Sequence, residues 1–365
     1  ACEVGGIRGH PEVFADVKDK VLGAAFGSQL TVIICQATAL SAGSSTTDGI
    51  EAGGARLVAE VRSCVQSMGA HGRPAAESVS FWGHSLGGLY IRWALAELAD
   101  EEGGTVCGLP PRLLIFTACP HLGIAATFPP ALLGAGTALG VCGRTLEQLC
   151  LTDSDGIVAR MGTEPRFVRP LRLFSCRALV ANVCHDAVVD FCTAALQPWR
   201  ASWLLDVNAP DPQYPNVVHD TGSWSSSACS LSRTFHVQAS SPFDGILPGL
   251  FCCSSRRGPA PYYDGHDRAE AIHCSRKCLS ALPWRIVCVR FSGRSSLRAH
   301  HDICYGSDCD AVRYICDVVM RQSLSGRPEP ARPPGCVSPV VAQHRASSPE
   351  HHFPPPGPLP RSGTA

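Results

Sequence analysis

Ser85 sits in Gly83-His84-Ser85-Leu86-Gly87, a G-x-S-x-G arrangement inside "FWGHSLGGLYIRW". A serine hydroxyl is a poor nucleophile at neutral pH and attacks a carbonyl only when a base takes its proton. With 35 glycines in the chain, the bare pattern is weak evidence and its context must carry the argument. A strand signal, "ESVSFW" at 77–82, precedes it, and a helix signal over 86–99 follows. That is the strand–turn–helix setting of a nucleophile elbow. Gly83 and Gly87 suit such a turn, because side chains two residues either side of a strained serine would collide with it. The amide of Leu86, at the start of the helix, can point at a developing oxyanion.

An elbow serine needs a base and an acid that orients it, in the chain order serine, acid, histidine. The acid is expected just after a later strand, and the histidine in the loop after the last one. "RALVANVCHD" reaches Asp186 within three residues of its strand, with Asp190 and Asp155 as alternatives. "WRIVCVRF" is followed by His300 and His301, which spacing alone does not separate. His84, beside the nucleophile, is expected to pack beneath the turn. His121 in "CPHLG" is expected to fix its loop by hydrogen bonding.

The elements that must position these residues alternate along the chain. Strands are predicted over 30–35, 77–82, 112–118, 177–183 and 284–291, and helices over 49–68, 86–99 and 308–323. Strands alternating with helices imply an α/β fold with a mostly parallel sheet covered on both faces, and in such sheets sites form at the carboxyl ends of strands. The hydrolase-like core is predicted to occupy 1–199 and 283–324. Between them, 200–282 reads as an irregular, partly disordered insertion. Residues 325–365 read as a disordered tail, being rich in Pro, Arg, Ser and His and poor in large apolar side chains. The nearly uncharged stretch 122–141 contains Pro129, Pro130 and four glycines, so it suits a flexible apolar lid or acyl-chain lining better than a membrane span.

Composition narrows the partners. The 31 basic and 31 acidic residues balance to a net charge of +0, which argues against nucleic acid as the main partner. There are 20 cysteines, many inside apolar runs, while residues 1–20 carry several charges and no apolar core of a secretory signal. A reducing, intracellular setting is expected, cytoplasmic or peripheral on a membrane. Cys274-x-x-x-Cys278, with His266 and His273 nearby, has half of a zinc-ligand spacing but no convincing second pair; no metal or organic cofactor is expected.

The chain resembles a family of lipase-like "putative serine esterases" with an α/β-hydrolase fold. The similar stretches are "SVSFWGHSLGGLYIRWAL", "FTACPHLG", "LCLTDSD", "LRLFSCRALVANVCHDAVV" and "PWRIVCVRF…RAHHDI", in the family's order. The resemblance implies Ser85 as nucleophile and Asp186 as the acid after the Ala-Asn-Val run. It favours His300, which follows an alanine, over His301. It also implies a second oxyanion amide from the loop after the first strand, where this chain has Gly5 in place of the usual histidine, followed by Gly6 and Ile7. Ile7 is the expected donor. The strand between "LTVIIC" and "SVSFW" is expected to be shortened or missing, as in a fold truncated at its N-terminus. The implied activity is acyl hydrolysis of a carboxylic ester, of a lipid, with a membrane or lipid-droplet surface as a peripheral contact. A catalytically impaired binding module for lipid or protein is the alternative, favoured by the Gly5 departure.

Overall fold

The computed structural model describes residues 2–4, 15–23, 30–35, 46–68, 75–125, 143–184, 186–197, 210–222, 265–291, 296–305 and 310–322. All of them belong to one compact unit within residues 1–328. In chain order the elements are β1 (Cys2–Val4), α1 (Ala15–Gly23), β2 (Ile33–Ile34), α2 (Ile50–Ser67), β3 (Val79–His84), α3 (Leu86–Leu98), the short hairpin β4 (Ala99–Asp100) and β5 (Thr105–Val106), and β6 (Pro111–Thr117). There follow α4 (Arg144–Leu149), α5 (Ile157–Thr163), α6 (Pro165–Arg172), β7 (Cys176–Asn182), α7 (Phe191–Ala195), β8 (Val217–Asp220), α8 (Gly265–Ser280), β9 (Arg285–Val289), α9 (Ser296–Tyr305) and α10 (Asp310–Tyr314), which runs on as a π-helical turn over Ile315–Met320.

The main sheet has the order β2-β1-β3-β6-β7-β9-β8. Its strands are parallel, except that β8 pairs with β9 antiparallel at the edge. The sequence dictates two cores rather than one. Along β6, Leu114 and Phe116 face one cluster while Leu113 and Ile115 face the other. The same alternation runs through Leu179 and Ala181 against Ala178 and Val180 in β7, and through Ile286 and Cys288 against Val287 and Val289 in β9. Strands apolar on both faces need cover on both. Helices α2 to α8 supply residues such as Leu57, Leu89, Met161, Phe167 and Leu279 to one side, and α1, α9 and α10 supply Val17, Ile303 and Val312 to the other. This is the α/β-hydrolase architecture.

Against α3, helix α2 presents two glycines. A Cβ on Gly53 would lie 2.2 Å from the Tyr90 ring, and one on Gly54 would lie 2.5 Å from the Trp93 ring. Two glycines inside a helix cost about 1 kcal/mol each relative to alanine; here they admit two aromatic rings.

The strand expected to be shortened or missing is present in shortened form: β1 has three residues, all three paired with β3 and two of them with β2. Two other expectations need correction. The insertion read as irregular over 200–282 contains β8 and the 16-residue helix α8. The apolar stripe of helix α8, Ile272 and Leu279, is interrupted by a serine: Ser275 is buried, its Oγ donates to the Ala159 carbonyl at 3.2 Å, and a Cβ on Gly162 would meet the Ser275 side chain at 2.4 Å. Strand β8 escapes notice because one of its four residues, Asp220, is a buried carboxylate. Asp220 pairs with Arg285 of β9 at 2.5 Å, both side chains being 1% exposed. The second correction concerns His300, which lies in α9 rather than in a loop. Ala299 and Ile303, four residues apart and both fully buried, give that segment a helical inner face.

Of the apolar stretch 122–141, Leu122 and Ile124 are core residues, and 126–142 lie outside the described residues, as do 325–365. Among the described residues no helix is long and apolar enough to cross a membrane.

Candidate active site

The elbow is built by the end of β3 and the start of α3. Ser85 lies between them at φ 52° and ψ −129°, a left-handed backbone that a side chain adopts only at a cost of about 1–3 kcal/mol. The neighbouring strand holds it there. The Ser85 amide donates to the Thr117 carbonyl of β6 at 2.9 Å, while the Thr117 hydroxyl accepts from Trp82 Nε1 at 3.3 Å and lies 3.4 Å from the Gly83 carbonyl. The turn has no spare volume. A Cβ on Gly83 would stand 2.7 Å from the Gly88 Cα, and one on Gly88 would stand 2.4 Å from Cys119 Sγ. Gly88 is the residue that sequence reasoning missed here; Gly87 is buried within α3. As the first residue of α3, Leu86 has an amide with no carbonyl to meet within its own helix.

The structure brings Ser85, His300 and Asp186 together. His300 Nε2 lies 3.0 Å from Ser85 Oγ, and His300 Nδ1 lies 3.0 Å from Asp186 Oδ2. A carboxylate accepts, so Nδ1–H donates to it, and Nε2 is left with a lone pair facing the serine hydroxyl. The site is largely dry: Ser85 is 7% exposed, and the His300 and Asp186 side chains are 14% and 2% exposed. The acid is tightly framed. Its Oδ1 accepts the Val188 and Val189 amides at 3.0 and 2.9 Å, and its Oδ2 accepts a second hydrogen bond from Asn182 Nδ2 at 2.8 Å. Ser85 follows β3, Asp186 follows β7 and His300 comes after β9, at one end of a parallel sheet, where sites of this fold form.

The alternatives are placed elsewhere. Asp190 caps α7, with Oδ1 accepting from the Thr193 amide at 3.1 Å. Asp155 makes an exposed ion pair with Arg144 at 2.8 Å. The His301 side chain is 53% exposed and its Nδ1 faces Asp302 at 3.4 Å. His84 lies beneath the turn, with Nδ1 3.2 Å from Thr117 Oγ1 and its ring 5.1 Å from that of His300. Burial, and then the charges of His300 and His301, hold its imidazole well below the ordinary histidine value, so it stays neutral beside the base. His121 is bound into its loop. Arg92, fully buried, donates from Nη1 to the His121 carbonyl at 3.1 Å and from Nη2 to the Met161 carbonyl at 2.5 Å. Burial, and then Arg92, keep the His121 ring neutral. Gly5 and Ile7 lie outside the described residues.

The "LTDSD" stretch is architectural. Asp153 Oδ2 accepts the Ile157 amide at 3.0 Å and so satisfies the first free N–H of α5, whose N-cap is Gly156, while Gln148 just before it accepts the Ile50 amide at 2.7 Å at the start of α2. Among the described residues no group of three or more histidines, cysteines or carboxylates is arranged to hold a metal.

A Schizosaccharomyces pombe protein described as a "putative lipase" is 26% identical over 43% of this chain and 21% of its own length. Two Saccharomyces cerevisiae proteins with the same description are 31% identical over 40% of this chain and 24% of their length, and 33% over 32% and 18%. The chain thus spans a quarter or less of the relatives it matches. Among solved structures, an extracellular α/β-hydrolase from a Paenibacillus species aligns over 38% of this chain and 49% of its own, at 13% identity and a TM-score of 0.25. The model of the family described as "Putative serine esterase (DUF676)" matches residues 4–197; since that is more than half of its length, the chain belongs to this family.

Proposed function

We propose that the protein is a serine acylhydrolase that cleaves a carboxylic ester of a lipid. The reading rests on one observation above all: both ring nitrogens of His300 are engaged at 3.0 Å, one by Ser85 and the other by Asp186. His300 Nε2 takes the hydroxyl proton as Ser85 Oγ attacks the ester carbonyl. Asp186 fixes the tautomer and stabilises the imidazolium that results. The Leu86 amide at the N-terminus of α3 supplies one oxyanion donor, and Ile7 is the proposed second. His300 then gives its proton to the leaving alcohol. A water deprotonated by the same ring attacks the acyl-serine and restores the free hydroxyl. The lipid substrate is supported by the fungal relatives described as "putative lipases", and fits a peripheral contact with a membrane or lipid droplet.

The test is Ser85→Ala against p-nitrophenyl esters of increasing chain length. Loss of the nucleophile is expected to lower kcat by about 10⁶-fold, and the parent protein should prefer long acyl chains. Retention of most activity in Ser85→Ala refutes the nucleophile. A folded parent protein that resists a fluorophosphonate probe refutes the hydrolase reading in favour of a binding module. A short-chain optimum refutes the lipid.

A further inference from the structure

We propose that Asn182 is a positioning residue of this site, one that locks the acid and the histidine-bearing helix into a single register. The inference rests on the hydrolase reading above. Asn182 is the last residue of β7 and only 1% exposed. Its Nδ2 donates to Asp186 Oδ2 at 2.8 Å and to the Ala299 carbonyl, one residue before His300, at 3.2 Å. Both neighbours are acceptors, so the amide cannot be turned the other way without setting oxygen against oxygen. Its backbone is paired with Val289, at the end of the strand that leads towards α9. One side chain therefore touches the acid and the helix that carries the base, from a strand end that holds its own place through the sheet.

The remaining atom of the amide makes the functional argument. Asn182 Oδ1 is buried and has no hydrogen-bond partner among the described residues. A buried acceptor left unmade is a cost that an apolar side chain of the same shape would avoid. The stability that Asn182 gains from its two N–H contacts is thus offset by the unmet oxygen. An asparagine is explained by what its two N–H groups do. Asp186 Oδ1 is fixed by the Val188 and Val189 amides, whereas Oδ2 must stay turned towards His300 Nδ1. The Asn182 donor to that same oxygen sets its direction, and the bond to Ala299 sets the distance at which the helix presents the ring.

The experiment compares Asn182→Ala and the near-isosteric Asn182→Leu with the parent protein. The readouts are p-nitrophenyl butyrate kinetics, the rate of fluorophosphonate labelling, and the thermal midpoint. Both variants should lose about 10- to 100-fold in kcat and in labelling rate, with KM changed by less than about two-fold, since the contact acts on the reacting geometry and not on substrate binding. Asn182→Leu removes the unmet oxygen along with the two N–H contacts, so its thermal midpoint should fall by no more than a few degrees and it stays folded at the assay temperature, which separates positioning from folding if the alanine variant unfolds. In an Asp186→Ala background, Asn182→Leu should cost clearly less than it does in the parent, because one of the two groups it acts through is already removed. Parent-like kcat in Asn182→Leu, a loss confined to KM, or full additivity with Asp186→Ala overturns the proposal. If the parent protein itself goes unlabelled, the hydrolase reading fails and takes this inference with it. A labelled parent with an equally labelled Asn182→Leu sinks the inference alone.

Discussion

Replacing Gly83 by alanine tests whether the elbow is as tight as the coordinates make it. The added Cβ would stand 2.7 Å from the Gly88 Cα, 2.9 Å from the Gly88 nitrogen and 2.8 Å from Ile91 Cδ1. Ile91 can turn aside, but the other two atoms are backbone. Ordinary contact begins at 3.4 Å, so the first turn of α3 must retreat by about 0.7 Å (3.4 − 2.7) relative to β3. Ser85 joins those two elements, and its hydroxyl sits 3.0 Å from His300 Nε2. A misplacement approaching 1 Å at a reacting atom costs about 10²-fold in rate, and overpacking a filled interior costs about 1–3 kcal/mol. Gly83→Ala should therefore lose about 10²-fold in kcat for p-nitrophenyl esters, label slowly with a fluorophosphonate, and unfold at a lower denaturant midpoint while remaining folded in buffer. Parent-like kcat with a parent-like midpoint would show that strand and helix do not approach as described.

Two further substitutions probe the surroundings. Asp190 is a helix cap, so Asp190→Asn should leave activity and stability near the parent's, whereas Asp190→Ala should cost about 1 kcal/mol in a urea titration with little change in kcat; a large loss of kcat in the asparagine variant would return Asp190 to the list of acids. Burial pushes the Asp220 carboxyl up, but the hydrogen bonds and charge of Arg285, with help from Tyr314 and the Gly222 amide, outweigh it and hold the group below its ordinary value. Its stabilisation is then fully present above about pH 4 and lost as pH falls through the lower folded value. Asp220→Asn should flatten this acid limb of stability. It should also cost about 3–5 kcal/mol at neutral pH, because it leaves a buried guanidinium without its counter-charge; an unchanged acid limb in the variant would assign it to other groups.

Much of the site was legible because its parts obey local rules. The elbow is a short pattern between two periodic segments, and the acid and histidine lie just beyond strands that announce themselves as apolar runs. Family resemblance, not spacing, separated Asp186 from Asp190 and His300 from His301. What stayed hidden depends on neighbours distant in the chain. Gly88 matters because Gly83 and Cys119 crowd it, and nothing in "SLGGLY" says so. Gly53 and Gly54 look like defects in α2 until Tyr90 and Trp93 are seen against them. Helix α8 buries a serine against a glycine between Ile272 and Leu279, so its apolar stripe is broken, and β8 is held by an aspartate whose partner lies 65 residues away.

The hydrogen bond from the Ser85 amide to Thr117 crosses from one strand end to the next, with His84 and Thr117 in direct register. The serine's contorted backbone is thus imposed by lateral zipping of β3 to β6, and a chain in which those strands had slipped or parted would relax it. Turnover is accordingly a gauge of whether the middle of the protein is assembled: as urea rises, enzymatic output and core fluorescence should vanish over one shared transition, with no loosened species left competent.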